Sequence, residues 1–406
     1  VNENYHMKIG ILREGKIPHD KRVPLSPLQC SKIKNKYSDV EIFVQTSNHR
    51  CYSDKEYVKY GIEVVDNLKN CDVLLGIKEV PKSELIPEKT YLFFSHTIKS
   101  QPYNRMLLKE MVNKNIRMID YEVLKNNKGS RIIGFGRYAG IIGCYNGFLT
   151  YGKRTKDYFL KPAFKCNNRK ELEKELRNVK LSNIKIILTG KGRVGKGALE
   201  IINFLGINEV NKQDFLLNKY KEPVFVHLDY NDYNVKSDGS KFDSVDFFNN
   251  PNLYKSIFNL FASHADIFIA GHYFKSGSPN FFTKKDAKSK DFKIKTIADI
   301  SCDINGPIPS TIRPSTIEDP IYGYNPKTEK EDVFDKKDVI SVMAVDNLPC
   351  ELPKDSSEDF GCELVKHVLP LLIEKDEFNI IKRATICENG KLTSQFNYLE
   401  SFLNGG

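Results

Sequence analysis

The most specific spacing in this 406-residue chain is a run of glycines, Gly190-Lys191-Gly192-Arg193-Val194-Gly195-Lys196-Gly197-Ala198. It reads G-x-G-x-x-G with a further glycine two residues on. A β-branched strand, Lys185 to Leu188, precedes it, and a helical stretch, Ala198 to Leu205, follows. That context is what a dinucleotide pyrophosphate requires: a tight turn at Gly190, a close backbone approach at Gly192, and strand–helix packing at Gly195. Arg193, Val194 and Gly197 complete the loop, and the N-terminus of the helix faces the phosphates. The carboxylate that holds the adenine ribose is expected about 20 residues further on. Asp214 has that spacing but no good apolar strand before it, whereas Asp229 ends a better strand further along. We place the ribose contact at Asp214; the reading leaves NAD expected and NADP open.

The elements that must position this loop alternate in type. Strands are expected at Met7–Leu12, Val40–Val44, Cys71–Ile77, Thr90–Ser95 and Arg117–Asp120, with a helix starting at Ser26-Pro27 and another over Tyr103–Asn115. From Lys185 a second unit opens, with strands at Val224–Leu228, Ile267–Ala270, Thr296–Ile300 and Ile340–Val345, followed by an amphipathic helix at Glu358–Leu372. Such alternation predicts an α/β fold of two doubly wound parallel-sheet domains. Ala139 to Lys153 has helical character, and Lys153 to Lys185 reads as a basic excursion. Val1 to His6 read as a short tail.

Lys and Arg total 62 against 52 Asp and Glu, a net charge of +10. Residues 1–200 carry +17 and residues 201–406 carry −7, so the excess lies wholly in the half that holds the glycine loop. Such asymmetry suits small polyanionic ligands, and part of it is expected to steer them. No helix-turn-helix, finger or RNA-binding aromatic motif accompanies the charge, so nucleic acid is not an expected partner. No apolar run approaches the ~20 residues of a membrane helix, and no signal segment is evident. The nine cysteines include no C-x-x-C, which predicts buried free thiols in a cytoplasmic protein. The histidines lack metal-ligand spacing, so no metal is expected.

Several segments in order resemble the lysine-forming saccharopine dehydrogenases of the alanine dehydrogenase and transhydrogenase superfamily. They are Lys21-Arg22-Val23-Pro24-Leu25-Ser26-Pro27, Gly76-Ile77-Lys78-Glu79-Val80-Pro81, Phe93-Phe94-Ser95-His96-Thr97-Ile98-Lys99-Ser100-Gln101, Arg131 to Gly140, Ala265 to Ile269, Ala298 to Asp303 and Val345-Asp346-Asn347-Leu348-Pro349. The resemblance implies two Rossmann-like domains with a cleft, the cofactor domain (139–346) being inserted into a substrate domain (1–138 and 347–406). It implies the reversible conversion of saccharopine, NAD(P) and water into lysine, 2-oxoglutarate and reduced coenzyme, by a monomer or homodimer.

The resemblance also assigns roles. Lys78 is the base that takes a proton from the secondary amine, since a desolvated lysine near other cations has a lowered pKa. His96 is the second acid/base group, for water addition. Arg22 and Arg131 hold substrate carboxylates through planar forks. Gln101 and Glu122 border the substrate, and Phe135 packs on its aliphatic part. Ile300 and Ser301 lie by the nicotinamide, and Asp346, Asn347 and Leu348 on the hinge side of the cofactor. The chain departs from the pattern in the basic excursion, in an insertion at Leu216 to Asp243, and in Asp303 to Tyr324, which is more like the reductase half of the bifunctional lysine-degrading enzymes. An alanine dehydrogenase is the nearest alternative, opposed by Phe135-Gly136-Arg137-Tyr138-Ala139-Gly140; a non-catalytic NAD(P)-binding regulator is the other, opposed by intact Lys78 and His96.

Overall fold

The protein is described by a computed structural model covering residues 6–405; of the expected tail, Val1 to Tyr5 lie outside the described residues. The chain divides into two units. One ends at Phe135 and resumes at Pro353; the other spans Gly136–Leu352. The boundary expected at 138/139 would cut the helix Gly136–Thr155, whose Ile141, Tyr145 and Phe148 share one core with Ile186 and Leu188. The boundary expected at 346/347 would detach Leu348 and Leu352 from that same core.

The first unit holds β1 (Met7–Ile11), β2 (Val40–Gln45), β3 (Glu63–Val65), β4 (Val73–Leu75), β5 (Thr90–Phe93) and β6 (Arg117–Asp120). The second holds β7 (Lys185–Thr189), β8 (Asn208–Glu209), β9 (Val224–Leu228), β10 (Asn234–Lys236), β11 (Tyr254–Ser256), β12 (Ile267–Ala270), β13 (Thr296–Asp299), β14 (Ile321–Asn325), β15 (Lys330–Asp332) and β16 (Ile340–Met343). The chain then returns to the first unit with β17 (Thr385–Glu388) and β18 (Lys391–Leu392).

The first sheet runs β18-β17-β6-β5-β4-β1-β2-β3 and the second β15-β14-β16-β13-β12-β7-β9-β8, with β10 and β11 as a separate hairpin. Both are parallel α/β sheets, as the alternation predicts, each closed on one side by antiparallel strands: β17 on β6 and β18 on β17, β14 on β16 and β15 on β14. The sequence reading missed these edge strands. β18 has only two residues, and β15 is entirely charged, so neither carries an apolar period. The central strands are buried on both faces, β4 and β12 at every position, which is why they read as continuous apolar runs.

The excursion Lys153 to Lys185 is not a solvated appendage. Tyr158, Leu160, Ala163 and Cys166, with Leu172 and Leu176 of the helix Arg169–Leu176, are buried in the core beneath β7. Five of the cysteines are buried as expected, whereas Cys362 is exposed and Cys51, Cys302 and Cys350 are half-buried; none of the nine is in a disulfide. Among the described residues, no helix is long and apolar enough to cross a membrane.

The start expected at Ser26 is a complete capping box: Ser26 and Gln29 satisfy each other's backbone, with Pro27 in the first turn. The Gln29 amide also donates from Nε2 to the Glu358 carbonyl at 2.9 Å. It thereby ties the N-terminal segment to the helix Pro353–His367, which begins earlier than the expected Glu358. A separate short helix, Leu369–Ile373, follows. Pro370 lacks an N–H and disfavours helical backbone at Leu369, which separates the two. A Cβ on Gly361 would lie 2.1 Å from Gln29 Oε1, an atom held in place by the capping box. Gly361→Ala should therefore cost about 1–3 kcal/mol and several degrees in Tm, measured by thermal melting. An unchanged Tm would mean that Gln29 can swing away at no cost.

Candidate active site

The first unit gathers charge where parallel strands end. After β1 the chain turns through Glu14 and Lys16; after β4 it runs into Lys78 and Glu79; after β5 it turns at His96. Glu14, only 8 % exposed, is central to this arrangement. Its two carboxylate oxygens accept the backbone N–H groups of Ile77 (2.7 Å) and Lys78 (2.9 Å). Burial and the neighbouring Asp20 push the Glu14 carboxyl up to about 8, against the pull of those two N–H groups.

Lys78 is half-buried. Burial, then the positive charge of Arg22, lower its pKa, while Asp20 and Glu79 oppose the shift. On the next strand His96 Nδ1 lies 2.7 Å from Glu79 Oε1, and Lys16 Nζ donates to Glu79 Oε2 at 2.7 Å. Burial alone would raise the Glu79 carboxyl, but the bonds from His96 and Lys16 outweigh it and hold it at about 2. His96 sits at φ 54°, in the left-handed region that a non-glycine residue occupies only when its surroundings enforce it. The enforcing group is buried Asp120, which accepts Ser95 N (3.0 Å), the Ser95 hydroxyl and Glu122 N (2.7 Å).

Arg22 does not stand as an open fork. It is 3 % exposed, donates from Nε and Nη2 to Asp20 at 3.0 and 2.6 Å, and lies 4.2 Å over the Phe135 ring. Phe135 in turn stacks on Phe360 at 4.5 Å. Arg22 thus enters the site as half of a buried ion pair. Arg131 is exposed and donates to Glu122 Oε1 at 3.2 Å; Lys99 Nζ lies 3.8 Å from the same oxygen, while Glu122 Oε2 is buried with no partner. Gln101 is exposed and accepts the Tyr103 hydroxyl at 2.7 Å, apart from the Lys78–Glu79–His96 group in its contacts. The sequence reading missed Glu14, Lys16, Asp20 and Asp120. Each acts by filling a backbone or ionic valence of a residue distant in sequence or set by a turn, so no local spacing marks it.

In the second unit the glycine loop joins β7 to the helix Arg193–Phe204. A Cβ on Gly195 would fall 1.7 Å from the Gly190 carbonyl, and one on Gly197 would fall 2.0 Å from the Arg137 carbonyl of the neighbouring helix. Gly192, by contrast, has nothing within 4 Å of that position. The loop is therefore closed on itself and open at the residue where a pyrophosphate would approach, ahead of a 12-residue helix whose first N–H groups have no side-chain cap. The residues present fit a dinucleotide.

Asp214 is half-buried on the helix Lys212–Leu217, hydrogen-bonded to Asn211 and Asn218. Asp229 is the residue that follows β9, which pairs with β7 and ends beside it, Leu228 opposite Thr189. The 212–217 helix and the turn after it lengthen the β7–β9 connection, so a spacing of ~20 residues falls short of the end of β9. Ile300 (8 % exposed) and Leu348 (1 %) pack as core side chains against the same helix at Gly143, so only their backbone can border a ligand. Ser301 is turned back onto buried Asp299, while Asp346 is exposed and Asn347 half-buried after β16. His272, unremarked in the sequence, follows β12 beside Gly190 with both ring nitrogens buried and unpartnered; burial lowers its pKa to about 3, keeping it neutral.

Gly192→Ala should leave Tm nearly unchanged and weaken NADH binding at least roughly tenfold, whereas Gly195→Ala should lower Tm as well. Thermal melting and NADH fluorescence titration separate the two. Equal NADH affinity in Gly192→Ala and the parent would remove Gly192 from the binding surface.

Residues 10–142 match the family model described as alanine dehydrogenase/PNT, N-terminal domain. The mitochondrial alpha-aminoadipic semialdehyde synthase of Bos taurus is 28 % identical over 97 % of this chain, but the match covers 47 % of that protein, so the chain spans about half the length of such relatives. The saccharopine dehydrogenase (NAD, L-lysine-forming) of Schizosaccharomyces pombe is 24 % identical over 89 % of this chain and 92 % of its own. Among solved structures, an L-alanine dehydrogenase superposes with a TM-score of 0.64 at 15 % identity, covering 98 % of this chain and all of that one. The chain is thus similar to saccharopine dehydrogenases over most of its length and has the alanine dehydrogenase fold, in line with the resemblance its motifs carry.

Proposed function

We propose that this chain is an NAD(P)-dependent oxidoreductase of the saccharopine dehydrogenase group, converting saccharopine and water into L-lysine and 2-oxoglutarate, reversibly. The observation that carries the reading is the charge array at the strand ends of the first unit. It combines a half-buried Lys78 with lowered pKa and, one residue on, a Glu79 clamped between Lys16 and His96. Similarity to saccharopine dehydrogenases over most of the chain supports the choice of substrate.

A bound nicotinamide would accept the hydride. Lys78, neutral more readily than an ordinary lysine, takes the proton of the secondary amine as that hydride leaves the neighbouring carbon. Water adds to the resulting imine with His96 moving the proton, and Glu79 holds the imidazole by Nδ1 so that Nε2 faces the reacting group. The carbinolamine then collapses to the free amine and the keto acid. Arg131, shared with Glu122, and Gln101 bind carboxylates, Phe135 packs on the aliphatic chain, and Arg22, paired with Asp20, supplies the positive field that lowers the Lys78 pKa. Glycines 190, 192, 195 and 197, with Arg193 and Val194, carry the pyrophosphate, and the backbone of 300–301 and 346–348 borders the rest of the coenzyme.

A steady-state screen tests this. NADH oxidation is expected with lysine and 2-oxoglutarate and not with pyruvate and ammonia; the reverse result would make the chain an alanine dehydrogenase. Lys78→Met should lower kcat by roughly 10²–10⁴-fold while NADH still binds. In the oxidative direction activity rises as Lys78 loses its proton. That limb should fall below the ordinary lysine value of about 10.4 and vanish in Lys78→Met.

Asp229 sits where a carboxylate meets the 2′-hydroxyl of an adenine ribose and repels a 2′-phosphate, which favours NAD over NADP. Its side chain also caps the short helix Tyr230–Tyr233. Asp229→Ser keeps a capping hydroxyl and should raise the ratio of kcat/KM for NADPH over NADH at least roughly tenfold. A ratio unchanged by the substitution would place coenzyme choice elsewhere.

A further inference from the structure

A groove of about 390 Å³ opens on the first unit, behind the Glu79 carboxylate. Lys16 and Glu79 form one wall, while Arg22, Lys78 and Arg131 do not line it. Its apolar lining is Val80, Pro81 and Leu107, with Ile17 and Tyr103, which are 80 % and 65 % exposed. Two exposed apolar side chains at one rim are more than scattered surface residues require.

Asn104 also lines this groove. It is 3 % exposed, and its Nδ2 has no hydrogen-bond partner. A buried amide donor left unpaired costs about 1–3 kcal/mol, so a native structure that keeps one generally has a use for it. Lys82 adds a second ammonium at the rim, where its side chain is exposed. The groove thus offers one orphan donor, two ammonium groups and an apolar trough, in a volume suited to a ligand of roughly ten to twenty heavy atoms.

We propose that this groove is a second ligand site, for a small monocarboxylate with an apolar body, and that its occupancy regulates the first unit's charge array through Lys16. The carboxylate pairs with Asn104 Nδ2 and with Lys16 or Lys82, and the body lies along Val80, Pro81 and Leu107 under Ile17 and Tyr103. Lys16 is the link, because its ammonium now serves Glu79 Oε2. A carboxylate in the groove competes for that ammonium, leaving Glu79 bonded to His96 alone and loosening the pair that positions the imidazole. Tyr103 of the groove donates to Gln101, but Arg22, Lys78, Gln101 and Arg131 do not themselves line it, so inhibition there would not be relieved by more substrate.

Isothermal titration calorimetry with hexanoate on the full chain tests the site without relying on turnover. Saturable binding with a Kd below about 1 mM is expected, and at least tenfold weaker binding of acetate, which lacks the body, and of hexan-1-ol, which lacks the charge. Ile17→Ser with Lys82→Ala, both exposed positions, should weaken hexanoate at least tenfold with Tm unchanged; Asn104→Leu should do the same and serves as evidence if its Tm is retained. In lysine plus 2-oxoglutarate turnover, hexanoate should lower kcat without raising KM. No saturation by about 10 mM, affinity indifferent to the Ile17→Ser/Lys82→Ala pair, or inhibition competitive with 2-oxoglutarate would each overturn the proposal. Should the lysine turnover itself be absent, the calorimetric result still decides the site on its own.

Discussion

A parallel strand that ends leaves backbone N–H groups with no ladder partner, and a buried one must find an acceptor. In this protein buried or half-buried carboxylates meet that demand repeatedly. Glu14 takes Ile77 N and Lys78 N, Asp120 takes Ser95 N and Glu122 N, and Asp299 takes Ser301 N and Cys302 N. At the other strand ends Asp72 takes Lys8 N and Asp266 takes Lys185 N. The turns that carry the candidate functional side chains are held by these bonds, and burial pushes the Glu14, Asp120 and Asp299 carboxyls toward their neutral forms.

Two other carboxylates, Asp20 after β1 and Glu79 after β4, are paired with cations, and the arrangement of those cations separates two basic groups. Arg22 is committed to Asp20, and its charge, with burial, lowers the Lys78 pKa. Lys16 and His96 converge on Glu79 and hold it ionised. Lys78 and Glu79 are consecutive residues, yet one is pushed toward its neutral form and the other toward its charged form. Neighbours that drive titratable groups apart in this way are how one site obtains a base and a proton carrier at the same pH. The left-handed backbone of His96 is the conformational cost of bringing the imidazole to Glu79, sustained by Asp120 beneath it.

The second unit meets a different constraint, close approach. The Gly190–Gly195 contact and the seating of Gly197 on Arg137 bring two helices and a strand end together with no room for a Cβ, while Gly192 stays open. Space, rather than charge, is what this unit prepares. Of the +17 carried by residues 1–200, many cations are paired: Arg137 and Arg169 with Glu200, Lys161 with Glu171. What can steer an anion is thus a smaller and more localised fraction than the total suggests.

The sequence by itself determined the fold class, the central strands, the Ser26 cap and the glycine loop. Each rests on a period or spacing a few residues long, which local backbone geometry converts directly into structure. Lys78 and His96 were marked only through the family resemblance of the segments that hold them, because a lysine or histidine after an apolar strand is by itself an ordinary strand-end residue. Only the tertiary structure decided that the Lys153–Lys185 segment is core, since its apolar residues follow no single period and find their partners across the β7 sheet. Only it put Asp229 rather than Asp214 at the end of the strand paired with β7, because distance along the chain cannot register a helix inserted between two adjacent strands. And only it revealed Glu14, Asp20 and Asp120, because a carboxylate's role as acceptor depends on which N–H groups arrive beside it, and those arrive from strands separated in sequence and joined only by the sheet.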